Sequence, residues 1–222
     1  MNYILVEPVP EGLDEISIDT VKRVVEESGS EWVFISGGEP TYEWESILGD
    51  VQRRSTVKEV LDLIWYLSYE LKCKVGLSTN GTNRESLEKL LPHVDYVALD
   101  IKTSTIEGYR KFLGATWKQA RNVISSIRDL AVQKKTRMER EGEEFDWEIR
   151  TTLYPALVSL DDIERIGPFI SPGDKWFLQQ YRKTNKMLCV SASKQEPYGD
   201  KDLNILLMAA RKYTDNAELR YV

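Results

Sequence analysis

Trp32-Val33-Phe34-Ile35-Ser36-Gly37-Gly38-Glu39-Pro40-Thr41 sets four apolar residues in a row ahead of a polar turn built on two glycines. A short unbroken apolar run of this kind predicts a buried parallel strand leading straight into a tight turn. Gly37 and Gly38 strip side chains from the turn, so a ligand can approach its backbone closely. Glu39 places a carboxylate at the carboxyl end of the strand, and Pro40 stiffens the exit by fixing its own φ. In parallel α/β folds that end of the strands is where ligands bind.

Two later segments have the same form. Leu77-Ser78-Thr79-Asn80-Gly81-Thr82 ends an apolar strand in polar residues, and so does Asp95-Tyr96-Val97-Ala98-Leu99-Asp100-Ile101-Lys102. Arg150, in Arg150-Thr151-Thr152-Leu153, adds a planar guanidinium fork suited to a carboxylate. Gln180 closes Phe177-Leu178-Gln179-Gln180 at the end of another strand. The candidate binding residues are therefore Gly37, Gly38, Glu39, Ser78, Thr79, Asn80, Asp100, Lys102, Arg150 and Gln180, and of these Gly38, Ser78, Asp100, Arg150 and Gln180 are expected to converge on one rim of a sheet. Each polar group also has a plainer use. Glu39 could cap a helix or pair with an arginine, Asp100 and Lys102 could form an ion pair, and Arg150 could bridge to Glu148 or Asp100.

Around these segments strands and helices alternate. Asn2 to Val6 predicts a first strand, and Ser17 or Asp19 caps a helix striped by Val21, Val24 and Val25. Apolar residues at 57, 60, 61, 64, 67 and 71 fit one helical face. Lys74 to Ser78 and Val94 to Ile101 predict the third and fourth strands, with a helix capped at Thr82 or Asn83 between them. Trp117, Ala120, Val123, Ile124, Ile127 and Leu130 mark a long helix, and 134–144 is its charged end and loop. Trp147 to Leu153, a helix capped by Ser159, Trp176 to Tyr181 and a helix over Leu203 to Ala210 complete the pattern. Six strands alternating with helices predict a parallel α/β sheet. No linker divides the chain, so one domain is expected over 1–222.

At 222 residues, with 41% hydrophobic and 30% charged residues, the chain can build a sizeable core. Its net charge of −6 argues against a nucleic-acid partner, and no apolar run is long enough for a membrane span. Cys73 and Cys189 are its two cysteines, which fits a reducing cytoplasm. Few Cys and Met beside many Glu, Lys and Arg suit a thermophile.

In order and spacing, the Gly-Gly-Glu-Pro, Ser-Thr-Asn-Gly and Asp-Ile-Lys segments resemble the radical S-adenosylmethionine (SAM) superfamily. More narrowly, they resemble the activating proteins of anaerobic ribonucleotide reductases and of pyruvate formate-lyase. The resemblance implies a partial barrel of six β/α units, with the SAM amine at Gly37 to Glu39 and its carboxylate at Lys102. Against that family, residues 42–56 look like an inserted loop or short extra helix, and Ser78 stands where some relatives carry an aspartate. The family's C-x3-C-x2-C run, which holds a [4Fe–4S] cluster through three thiolates, does not occur in the sequence.

Two functions follow from the resemblance. One is a cluster-free binding or regulatory subunit that keeps a weak SAM-type pocket and carries no metal or catalytic residue. The other is a truncated or split activating enzyme, its cysteines supplied from upstream or by another chain. The family's activating enzymes cleave SAM to a 5′-deoxyadenosyl radical and generate a glycyl radical on a partner. The first is the expectation, and either one implies a protein partner: a glycyl-radical enzyme or a cysteine-bearing radical SAM chain.

Overall fold

A computed structural model describes residues 17–36, 39–42, 44–48, 51–55, 57–140, 142, 145–182 and 195–221. Its strands are β1 (Trp32–Ile35), β2 (Trp44–Leu48), β3 (Val51–Ser55), β4 (Lys74–Thr79), β5 (Tyr96–Asp100), β6 (Asp146–Leu153), β7 (Lys175–Gln180) and β8 (Ala217–Tyr221). Its α-helices are α1 (Ile18–Ser28), α2 (Val57–Trp65), α3 (Arg84–Leu90), α4 (Ile106–Leu113), α5 (Trp117–Arg140), α6 (Leu160–Ile166) and α7 (Asp200–Ala210).

Six strands form one parallel sheet in the order β1-β4-β5-β6-β7-β8. Each main-sheet strand lies beside the next one in the chain. With sequential parallel strands, crossovers of one hand put the connecting helices on the same face of an open sheet, as in a partial (β/α)6 barrel. The strand alternation shows the two faces. Val75, Leu77, Val97, Leu99, Ile149, Trp176 and Leu178 are buried in the core against the helices. Ser78, Asp100, Arg150 and Thr152 alternate with them on the other face.

The sequence reading and the structure differ at several places, each for a physical reason. Asn2 to Val6 lies outside the described residues, and β8 completes the six strands instead. β1 is an edge strand of the described sheet, so Trp32 and Phe34 on its open face are 41% and 54% exposed rather than buried. Within 42–56, Trp44–Leu48 and Val51–Ser55 pair as antiparallel strands, β2 with β3, instead of forming a loop or helix. The helix from Val57 changes to a π-helical turn over Tyr66–Glu70. Two residues taken as helix core point to solvent, Val24 at 55% exposure and Trp117 at 50%. α4 is an additional element, short and rich in polar residues. No helix among the described residues is long and apolar enough to cross a membrane.

The loops at the carboxyl ends of the strands are held by side chains. The Asp162 carboxylate accepts from Thr103 Oγ1, Ser104 N and Ser104 Oγ (3.1, 3.0 and 2.6 Å), and from Ser159 N and Oγ (2.9 and 2.8 Å). It clamps the loop after β5 to the start of α6. After β4, Gly81 has φ +68°, and a Cβ there would meet Leu99 Cδ1 at 2.9 Å. Gly81→Ala combines left-handed strain with a clash in the core. It should cost about 1–3 kcal/mol in urea unfolding; an unchanged midpoint would show that the loop can rebuild.

Candidate functional site

Parallel register brings β4, β5 and β6 together at their carboxyl ends, with Asp100 level with Arg150. Arg150 Nε donates to Asp100 Oδ1 at 2.8 Å, and Arg150 Nη2 reaches across β5 to Ser78 Oγ. The other oxygen of Asp100 accepts from Lys102 Nζ at 3.1 Å, and Lys102 Nζ also donates to Thr152 Oγ1 at 3.2 Å. Asp100 thus holds two cations, each about a quarter exposed or less (Arg150 21%, Lys102 22%). Of the plainer uses, the ion pair of Asp100 with Lys102 and the bridge from Arg150 to Asp100 are both present. Lys102 has three N–H groups, and one is committed to neither Asp100 nor Thr152.

Glu39 sits in a second cluster, where its partners among the described residues are neither an arginine nor a helix N-terminus. Its Oε1 accepts from Thr79 Oγ1 (2.6 Å), Thr41 Oγ1 (2.7 Å) and Thr41 N (3.2 Å), and its Oε2 from Asn80 N (2.7 Å). The carboxylate therefore latches the turn after β1 to the turn after β4. Asn83 Nδ2 adds a second tie by donating to Thr41 O at 2.7 Å. Asn80 Oδ1 faces its own loop, accepting from Thr82 N (2.9 Å) and Thr82 Oγ1 (2.6 Å).

Ser78, Asp100, Lys102 and Arg150 are thus joined in one network, and Glu39, Thr79 and Asn80 in another. Gln180 belongs to neither. It pairs in register with Leu153, on the helix-packed face, and its Nε2 donates to Tyr198 O at 2.8 Å. Gln179 is the β7 residue level with Thr152 on the face of the rim. Gly37 and Gly38 lie outside the described residues. Thr152 and Thr41 are the site residues that sequence reasoning missed. Thr152 could have been found from period-2 spacing, since it stands two residues beyond Arg150. A cleft of about 320 Å³ opens beside α4 and α6, and none of the candidate residues lines it.

Residues 6–138 match the profile of the radical SAM superfamily, and the chain belongs to that superfamily. A protein of Methanocaldococcus jannaschii that carries the name of a glycyl-radical enzyme activating enzyme is 27% identical over 195 residues, which is 86% of this chain and 70% of its own length. A domain of pyruvate-formate lyase-activating enzyme from Bacteroides vulgatus has the same fold, with a TM-score of 0.58 at 14% identity over 85% of this chain and 98% of that one. TYW1 with a lysine-pyruvate adduct bound gives a TM-score of 0.51 at 14% identity, over 89% of this chain and 60% of that one. At these identities the two structures speak for the fold alone.

A cluster of the kind the resemblance implies needs three protein thiolates. Cys73 lies just before β4, at the far end of the sheet from Asp100. It is buried, with Sγ donating to Ser30 O at 3.1 Å. Cys189 lies outside the described residues. Two cysteines in 222 residues cannot supply three thiolates, so the donor set of this chain does not fit such a cluster. Among the described residues, no group of three or more His, Cys, Asp or Glu side chains could hold a metal ion.

Burial pushes the Glu39 carboxyl above its ordinary value of 4.5, against the pull of its hydrogen bonds from Thr79, Thr41 and Asn80. Such a group contributes stability that is fully present below the unfolded-state value and is lost as pH rises through the folded-state one. Urea unfolding between about pH 4 and pH 7 should show the wild type losing ground to Glu39→Gln. Parallel stability curves for the two proteins would mean that Glu39 titrates as it does in the unfolded chain.

Proposed function

We propose that this chain is a SAM-binding barrel of the activating-enzyme type, one domain with a hairpin inserted after its first turn, acting on a protein partner in the cytoplasm. The observation that carries the reading is the rim at Asp100, where Lys102 is fixed by two acceptors and keeps one N–H for a ligand carboxylate. Charge-assisted hydrogen bonds of this kind are the strong ones. The Glu39 latch holds the neighbouring turn in place for the ligand amine. The name of the archaeal relative supports a glycyl-radical enzyme as the partner.

Cluster ligands, in this reading, come from outside these 222 residues, from a preceding segment or another chain. The presence of only two cysteines favours a second reading, a cluster-free binding subunit that keeps the SAM pocket. The two readings separate on iron. Reconstituted anaerobically by itself, this chain should stay colourless under both. A stoichiometric iron–sulfur chromophore, lost in Cys73→Ala or Cys189→Ala, would overturn the donor-set argument. Colour gained on adding a cysteine-bearing partner chain would select the first reading over the second.

SAM itself tests the pocket. With no iron to chelate the amino-acid end, calorimetry should give a Kd in roughly the micromolar to millimolar range. Lys102→Met should weaken binding about tenfold, the worth of one charge-assisted hydrogen bond. Undetectable binding at millimolar SAM, or equal binding by the variant, would remove the assignment.

A further inference from the structure

A cationic corner stands out on a chain whose net charge is −6. Trp117, Arg121 and Arg128 fall at i, i+4 and i+11 of α5, which is one stripe of a helix with 3.6 residues per turn. Lys118 lies beside them, and all four are exposed. From α4, Arg110 lays its guanidinium 4.4 Å from the centroid of the Trp117 ring. Among the described residues, two of these cations are paired, Arg110 with Glu107 at 3.7 Å and Lys118 with Glu85 at 3.1 Å. Arg121 and Arg128 meet neither carboxylate, Arg128 lying 5.5 Å from the centroid of the Phe169 ring, so the stripe keeps a surplus of positive charge.

The corner adjoins the candidate site. Tyr109, the residue before Arg110, accepts from the backbone N–H of Lys102 at 3.0 Å through its hydroxyl. The helix that carries Arg110 is thereby tied to the residue proposed to receive the ligand carboxylate. An exposed tryptophan covered by an arginine is also the kind of pair that anchors protein interfaces.

We infer that the α4–α5 corner docks an acidic surface of the protein partner and orients that partner over the Asp100–Lys102 rim. The inference rests on the protein-partner reading above. Charge complementarity acts chiefly on encounter and register. An acidic partner is repelled by the bulk of this chain and attracted at the corner, which selects one orientation. A nucleic acid would need a basic footprint extending along its phosphates, and the overall charge opposes one.

Fluorescence anisotropy with labelled polyglutamate of about twenty residues tests the corner at low salt, where surface charge is least screened. The wild type should bind it, and more weakly at physiological ionic strength. The triple variant Lys118→Glu, Arg121→Glu, Arg128→Glu should lose at least about tenfold in affinity, with unchanged thermal unfolding and unchanged SAM calorimetry. Trp117→Ala should fall between the two. No binding of polyglutamate, no effect of the charge reversal, or tighter binding of a single-stranded RNA through the same residues would each overturn the inference. Because SAM binding is read separately, failure at the corner is distinguishable from failure of the pocket.

Discussion

The rim of this sheet depends on one carboxylate. Asp100 stands between two cations that arrive from different places, Arg150 from β6 and Lys102 from just beyond β5. Without it, two positive charges would face each other at a partly dehydrated strand end. With it, the guanidinium is turned so that its far nitrogen reaches Ser78, and three strands become linked across their register. The arrangement needs parallel strands in unbroken sequential order, because only then do residues at equivalent heights come from consecutive β/α units. Sheet topology and site are therefore one constraint seen at two scales.

Glu39 solves a neighbouring problem at some cost. The turn from Glu39 to Tyr42 is tied down by a carboxylate that accepts two hydroxyls and two amides. Drawing that carboxylate out of water raises its pKa, so the latch is less favourable ionised than protonated.

Much of this was legible in the residues. The strand ends were, because apolar runs closed by polar groups at Ser78 and Asp100 leave few alternatives. The caps of α1 and α3 were legible to two candidates each, Ser17 or Asp19 and Thr82 or Asn83, and the structure uses Ser17 and Asn83. What escaped was whatever depends on neighbours in space. Trp32 and Phe34 sit in an apolar run, yet on an edge strand one face of that run is open. Gln180 ends its strand in the right place but on the helix-packed face, a difference of one residue in register that reverses where a side chain can act. Trp117 begins α5 on an outward stripe, and only the position of α4 explains its cover by Arg110.

The two clusters differ in the sign of charge they leave over. At Asp100 one carboxylate meets two cations, so the rim is positive by one unit beside Lys102. At Glu39 the donors among the described residues are neutral, so that carboxylate is negative when ionised. β4 separates these poles within a single sheet, with Ser78 tied to one and Thr79 to the other. Ser78 and Thr79 are consecutive residues on opposite faces of β4, Thr79 on the helix-packed one, so the two poles are held from opposite sides of the strand. The opposite signs follow from the donors each carboxylate meets, two cations at Asp100 and hydroxyls and backbone amides at Glu39.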